Sequence, residues 1–521
     1  MQGKVNSSTS MESDTRSTEV KSSTTIIKPR CRFAPSPTGY AHLGSLRTAL
    51  YNFLLAESLG GEFILRIEDT DQARYVPGSV EDIINSFKAL GIRWSEGPDV
   101  GGPYGPYYQS ERLEIYNKLL HQLVDEGKAY PCFCSPERLE ELRKEQEAAR
   151  LPPGYDRRCR DIDPAEARRR MEAGEPYVIR FKMPLEGVTV VQDYLRGELA
   201  FENATLDDHV LLKRRREGDE YAWPTYHGCS PIDDHLMHIT HIIRGDEWLP
   251  SSPKHKLLFE ASDWEVPVFV HLPIILSPSG KGKMSKRDGT TAIRDFFKEG
   301  YLPEALVNSL LLLGWSSSTG KEVYTMEEAI AEFSLEGLSK SPAAFNPEKL
   351  LWFNGMHIRR LEPKELANRC LPYLQEAGYV GAPCTEAEFD YLLKIIPLIQ
   401  ERITLLSEVP AQVDFLYKDV EDYAPELLIP KKTSREETLQ VLKHAVALAG
   451  TMADFSLEKI NAEFHSLPDK LGMKTGQVFM PLRVAISGRT VSPGSSTEIM
   501  AVLGKERTLE RLKKALARLE G

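Results

Sequence analysis

Cys31-Arg32-Phe33-Ala34-Pro35-Ser36-Pro37-Thr38-Gly39-Tyr40-Ala41-His42-Leu43-Gly44 decides how the rest of the chain is read. Its first four residues form a short run suited to a buried strand. Two prolines and a glycine over 35–39 then impose a rigid turn. Beyond His42, the residues Leu43, Leu46, Leu50, Phe53 and Leu54 recur at helical spacing on one face. Gly60-Gly61 closes that helix, and Phe63-Ile64-Leu65-Arg66-Ile67 resumes as a strand. Strand, turn, helix, strand is a βαβ unit, so a parallel sheet in an α/β fold is expected.

Upstream, residues 1–29 are rich in Ser and Thr and have no apolar stretch of the kind a secretory signal needs. They read as a tail or a targeting segment, although Glu12, Asp14 and Glu19 depart from the acid-poor character of a mitochondrial presequence. Downstream, the pattern implies a first catalytic half over 30–112 and an inserted α+β domain over 113–222. The insert has helical stretches at 136–149 and 164–173 and strand-like runs at 177–182 and 188–191. A second catalytic half over 223–300 has strand-like runs at 236–244 and 271–276. A connecting region over 301–360 follows, and amphipathic helices fill 361–521.

The 521 residues carry 65 basic and 76 acidic side chains, a net charge of −11. That balance argues against indiscriminate nucleic-acid binding but leaves room for a local basic groove. No run approaches about 18 apolar residues, so no membrane span is expected. Seven scattered cysteines, an odd number, point to a reducing compartment rather than a disulfide framework.

Two segments carry chemistry. His42 and Gly44 stand at the start of a helix, where the dipole favours anions and a glycine permits close approach. Lys281-Gly282-Lys283-Met284-Ser285-Lys286-Arg287 is a basic loop punctuated by glycine. Either alone reads more plainly as a helix cap or a solvated charge run. In this order, with a domain between them, they are far more specific.

Together they resemble the two signature motifs of class I aminoacyl-tRNA synthetases. The stretches Arg32 to Gly39, Arg66-Ile67-Glu68-Asp69-Thr70-Asp71, Gly102 to Tyr107, Pro224-Thr225-Tyr226-His227, Asp233-Asp234-His235, Arg244-Gly245-Asp246-Glu247-Trp248, Lys349 to Gly355 and Pro481-Leu482-Arg483 are similar to bacterial-type or organellar glutamyl-tRNA synthetases. The resemblance covers nearly everything after residue 30. It implies a Rossmann-type catalytic domain split by an acceptor-stem-binding insert, a stem-contact region and an all-helical anticodon-binding region.

It also implies ATP-dependent attachment of L-glutamate to the 3′-terminal adenosine of tRNA(Glu), with tRNA(Gln) a further possible acceptor and Mg²⁺ accompanying ATP. Carboxylate attack on a phosphate needs no general base, only alignment and stabilisation of charge. The resemblance gives His42, Lys283, Lys286 and Arg287 that catalytic role. Gly44, Glu247, Trp248, Met284 and Ser285 join them around ATP. For glutamate it gives Arg32, Phe33, Ala34, Ser36, Glu68, Tyr226, Ser230 and Arg244. Arginine forks suit carboxylates, and an acid suits the ammonium group. Ser230 departs from the family, where an Asn is usual.

Some relatives bind zinc in the insert through Cys-x-Cys and Cys-x-His. Here Cys132, Cys134 and Cys159 match, but Asp161 replaces the histidine and makes such a site doubly negative. Zinc is therefore not expected. Arg157, Arg158 and Arg160 are candidates for neutralising that charge or for contacting tRNA phosphates. The resemblance further implies a monomer, and the tail places the protein in the mitochondrial matrix, with a bacterial-type cytoplasm or another organelle as the alternative. A glutaminyl-tRNA synthetase would have a β-barrel anticodon region, and a tRNA-modifying glutamyl transferase would lack about two hundred residues found here. A catalytically dead scaffold would have no need of an intact His42, Lys286, Arg32 and Arg244.

Overall fold

A computed structural model of the chain describes residues 28–284, 292–420 and 423–521. The decisive stretch folds as its spacing requires. Strand β1 (Arg30–Phe33) buries Cys31, Arg32 and Phe33, and Pro35 and Pro37 end it. Helix α1 (Leu43–Ser58) starts at His42, whose ring accepts the Ser45 N–H in a reciprocal capping box. Gly60 (φ +61°) turns the chain out of the helix, and Gly61 has no room for a side chain against the Pro29 carbonyl. Strand β2 (Glu62–Leu65) then lies parallel to β1, with Cys31 opposite Phe63.

The remaining strands follow in two groups. The first is β3 (Ala129–Cys132), β4 (Val178–Phe181), β5 (Val188–Asp193), β6 (Gly197–Glu202) and β7 (Val210–Leu212). The second is β8 (His241–Gly245), β9 (Val268–Leu272), β10 (Ile275–Leu276) and β11 (Ala343–Ala344). The central sheet runs β2-β1-β8-β9-β5-β6, parallel except for the β5–β6 hairpin. Two runs differ from their sequence reading. Leu236 ends the helix Tyr226–Leu236 rather than beginning a strand, and β8 starts only at His241.

The second difference concerns Val188 to Val191, read with the insert, which joins the central sheet through Asp193 opposite Phe269. Its alternating burial is that of a half-buried hairpin, and alternation alone does not say which sheet a hairpin joins. The insert keeps its own antiparallel sheet, β3-β4-β7, whose core of Tyr116, Leu120, Ile179, Phe181 and Leu211 is shared with Ile232 of the helix below.

Beyond Tyr301 the regular elements among the described residues are all helices, apart from the two-residue β11. Leu442, Leu482, Ile499 and Leu512 are fully buried in the C-terminal helices. The last helix, Ser496–Glu520, changes direction at Gly504 (φ 78°). Among the described residues no helix is long and apolar enough to cross a membrane.

Candidate active site

The carboxyl ends of β1, β2 and β8 and the helix Tyr226–Leu236 converge on one buried polar cluster. Asp234 is its hub: Arg32 donates to it through Nε at 3.0 Å, and the Arg66 guanidinium lies 2.9 Å away. Arg66 also reaches Glu68 (3.1 Å) and donates to the Ser230 hydroxyl (3.3 Å). Beneath them Asp233 takes bonds from Arg112 (2.8 Å), Gln109 (2.9 Å) and Tyr116 (2.7 Å). Arg32, Arg66 and Arg112 thus face Glu68, Asp233 and Asp234, a buried set with no net charge.

The protonation states follow from that pairing. Burial alone would push the Asp234 carboxyl up, but Arg32 and Arg66 more than offset it and hold it below its ordinary value. Glu68 goes the other way: burial raises it, and Arg66 and Arg32 only partly compensate.

Arg244, at the end of β8, differs from these arginines. It is 5% exposed, yet among the described residues no carboxylate lies within 4.0 Å of it. Its partners are all neutral oxygens and nitrogens. Nη1 donates to the Tyr226 hydroxyl (2.8 Å), Nη2 to Ser252 (3.1 Å), and Nε to His271 Nε2 (3.0 Å). Two contacts of 3.4 Å, to the Trp248 carbonyl and His255 Nδ1, are long for hydrogen bonds. The Tyr226 hydroxyl is held protonated by burial, with Arg244 pulling the other way and Glu68 and Arg32 both within electrostatic reach. Tyr226 therefore joins the Arg244 niche to the paired cluster.

The elements expected to meet phosphate are the start of α1 and the basic loop. His42 is exposed at the start of α1, and because its Nδ1 accepts the Ser45 N–H, a neutral ring carries its proton on Nε2. The open space over Gly44 is taken by that ring, 3.2 Å from where a Cβ would stand. The basic loop enters beside β10, with Leu276 bridged to Lys283 and the Met284 N–H bonded to Ile275. It leaves beside His42, bridged to Ala292. Lys283 lies 3.7 Å from Glu247, and the neighbouring Trp248 ring packs against Tyr226 at a 40° tilt with centroids 4.3 Å apart. Ser285, Lys286 and Arg287 lie outside the described residues.

Several expected residues are placed differently from their reading. The Phe33 ring packs into the core against Phe87, 5.3 Å between centroids, leaving only its backbone near the cluster. Ser36 is exposed and Ala34 half-buried on the turn after β1. Ser230 serves Arg66 and not Arg244. Sequence reasoning assigned no role to Arg66, Asp234, Ser252 or His271. The Arg66-to-Asp71 and Asp233-Asp234-His235 stretches were visible, but their pairing was not.

In the insert, the sulfurs of Cys132, Cys134 and Cys159 lie within 4.8 Å of one another. The fourth group among them is the Tyr155 hydroxyl, 3.3 Å from Cys132 and 3.7 Å from Cys134, while Asp161 is exposed. As a phenolate ligand Tyr155 would give the site the same double negative charge as Asp161, next to Arg138, 3.9 Å from Cys134, and Arg180, over the Tyr155 ring. Hydrogen bonding from Cys132 holds the Cys159 thiol down at about 6. Arg157 and Arg160 are committed to Asp208, at 3.3 and 2.7 Å.

Residues 28–352 match the model of the catalytic domain of class I tRNA synthetases for E and Q, and 365–516 match an anticodon-binding domain. The chain belongs to this class I synthetase family. The synthetase is 47% identical over 490 residues to a glutamate–tRNA ligase of Dehalococcoides mccartyi strain 195, covering 94% of this chain and 98% of that one. With the glutamate–tRNA ligase of Chloroflexus aurantiacus the identity is 46%, over 94% and 98%. A crystal structure of a glutamate tRNA ligase from Elizabethkingia meningosepticum, in complex with its amino acid, superposes with a TM-score of 0.84. It is 38% identical and covers 94% of this chain and 99% of that one.

Proposed function

We propose that this synthetase is a glutamate–tRNA ligase that joins L-glutamate to ATP as an adenylate and passes it to the terminal adenosine of tRNA(Glu). The observation that carries the reading is Arg244, a buried guanidinium surrounded by neutral acceptors beside a cluster whose own charges cancel. Such a site favours one added carboxylate. A ligand can take over its 3.4 Å contacts while the shorter bonds hold the fork in place. Glu68, at the cluster's edge, supplies the acid that an ammonium group needs.

Chemistry then requires alignment rather than proton abstraction, since the attacking carboxylate is already ionised. His42 Nε2–H and Lys283 meet the phosphates. Lys286 and Arg287 follow Lys283 in sequence and complete the positive charge that the leaving pyrophosphate needs. Trp248 and Glu247 meet the adenosine, and Mg²⁺ enters with ATP. The helical region reads the anticodon, and charging assays on purified tRNA(Glu) and tRNA(Gln) decide whether both are used.

Pyrophosphate release with glutamate, ATP and saturating tRNA tests the reading. Arg244→Gln raises the KM for glutamate by about 2–5 kcal/mol of lost binding, with ATP affinity retained. Lys286→Ala lowers kcat by about 10²–10³. Parent-like glutamate kinetics in Arg244→Gln would remove Arg244 from the site.

Two finer points belong to the same proposal. The cluster of Cys132, Cys134, Cys159 and the Tyr155 phenol fits a tetrahedral Zn²⁺, which would brace the insert and take no part in the reaction. Elemental analysis of chelator-free protein is expected to show about one zinc per chain. The mitochondrial matrix remains the proposed compartment on the strength of residues 1–29 alone, of which 1–27 lie outside the described residues. Fusion of that segment to a fluorescent protein tests it, and a diffuse cytosolic signal overturns it.

A further inference from the structure

Arg244 poses a physical question that the substrate reading does not answer: what aims a buried guanidinium whose carboxylate partner arrives only with the substrate. One fixed carboxylate, that of Asp193, is linked to Arg244 through a single imidazole. His271 Nδ1 lies 2.7 Å from Asp193 Oδ2, and His271 Nε2 lies 3.0 Å from Arg244 Nε. Since Asp193 accepts, the ring proton sits on Nδ1 and Nε2 presents a lone pair to the guanidinium. Ser252 closes the triangle, accepting from Arg244 Nη2 at 3.1 Å and lying 3.2 Å from His271 Nε2.

We propose that His271, fixed by Asp193, is a positioning residue that sets the Arg244 fork for the glutamate carboxylate. The inference rests on the assignment of Arg244 to the glutamate site. An aspartate placed directly on Arg244 would orient it as firmly but would also satisfy its charge, leaving less for the substrate. The interposed neutral ring passes on the orientation and keeps the negative charge one residue away.

Asp193 is itself held in place. Its Oδ1 accepts the Leu195 and Arg196 N–H groups at 3.0 and 2.9 Å, and its Oδ2 also takes the His271 backbone N–H at 3.1 Å. The side chains of His271 and Asp193 are fully buried. Burial lowers the His271 ring below its ordinary range, so it remains a neutral acceptor. The same carboxylate therefore fastens β5 to β9 and orients the ring that faces Arg244.

The test compares His271→Ala, His271→Gln and Arg244→Gln in pyrophosphate release with saturating tRNA. His271→Ala is expected to raise the KM for glutamate roughly ten-fold or more with the KM for ATP within about two-fold. In His271→Gln, the amide can accept from Arg244 and donate to Asp193, and it is expected to bring the glutamate KM back to within about three-fold of the parent. A glutamate KM unchanged in His271→Ala, an equal rise for ATP, or no rescue by glutamine overturns the positioning role. If Arg244→Gln itself leaves the glutamate KM unchanged, the substrate assignment falls; if it raises that KM while His271→Ala does not, only the positioning role falls. Should His271→Ala not fold, Ser252→Ala carries the same comparison: a glutamate KM raised about three-fold or more supports the triangle, and an unchanged one overturns it.

Discussion

The floor of the pocket and the C-terminal helices are stabilised in opposite ways. Under Arg32, charged side chains fill the interior: Arg66 and Asp233 have no exposed side-chain surface, and Asp234 has almost none. In the helix Arg435–Thr451 the buried side chains are Thr438, Val441, Leu442, Ala445 and Ala449, and its charged side chains are exposed. The floor depends on each ion finding its partner, so its stability and its chemistry share the same residues. The helices depend on volume and on capped ends, so they tolerate change without touching the reaction. Coupling of fold and function is local to the pocket.

Breaking a pair in the floor should have the largest effect. Asp234→Asn leaves Arg32 and Arg66 without their shared carboxylate, and removing one partner of a buried pair costs about 3–5 kcal/mol. Urea unfolding at pH 7 measures it, and glutamate affinity should fall in the same variant. The pH dependence has a defined sign. The folded Asp234 carboxyl lies below its unfolded value near 3.9, so its contribution is complete above that value and is lost as pH falls further. The parent's advantage over Asp234→Asn should thus hold steady from pH 5 to 8 and shrink only below about pH 4.

Leu442→Ala should cost about 2–5 kcal/mol, close to the first variant in stability. The contrast lies in function: the KM for glutamate at saturating tRNA should stay at the parent value in the folded fraction. A shifted glutamate KM in Leu442→Ala would erase the distinction between the two regions. The smallest effect belongs to a helix end. The Ser434 hydroxyl accepts the Glu437 N–H at 3.1 Å, and the Ser434 N–H donates in return to the Glu437 carboxylate at 2.7 Å. Ser434→Ala should lose about 1 kcal/mol in the same unfolding assay, and Ser434→Gly only a few tenths.

Local spacing made half of this legible. The βαβ unit from Cys31 to Leu65 and the helical C-terminus were written in short apolar runs, turn residues and the 3.6 periodicity of helices. Arg244 and Tyr226 were recoverable because their stretches are short and characteristic. What stayed hidden depends on pairs distant in sequence. Asp193 and His271 are 78 residues apart, and Arg32 and Asp234 are 202 apart. Tyr155 was missed as the thiols' neighbour because a tyrosine in a loop carries no signal of its own. That the Phe33 ring turns into the core was hidden because a short strand has two faces and its sequence does not say which one meets the site.

The order of the central sheet has a consequence for the making of the protein. Strand β1 lies between β2 and β8, and its register with β8 sets Cys31 opposite His241. At about 5–20 residues per second, β8 leaves the ribosome on the order of ten to forty seconds after β1. Through that interval one edge of β1 has no partner, and an unpaired edge is a template for another chain. Helix α1 and strand β2 follow within the next 32 residues and are the cover β1 has while synthesis continues. The nascent chain is most exposed to misassembly while the insert is being translated.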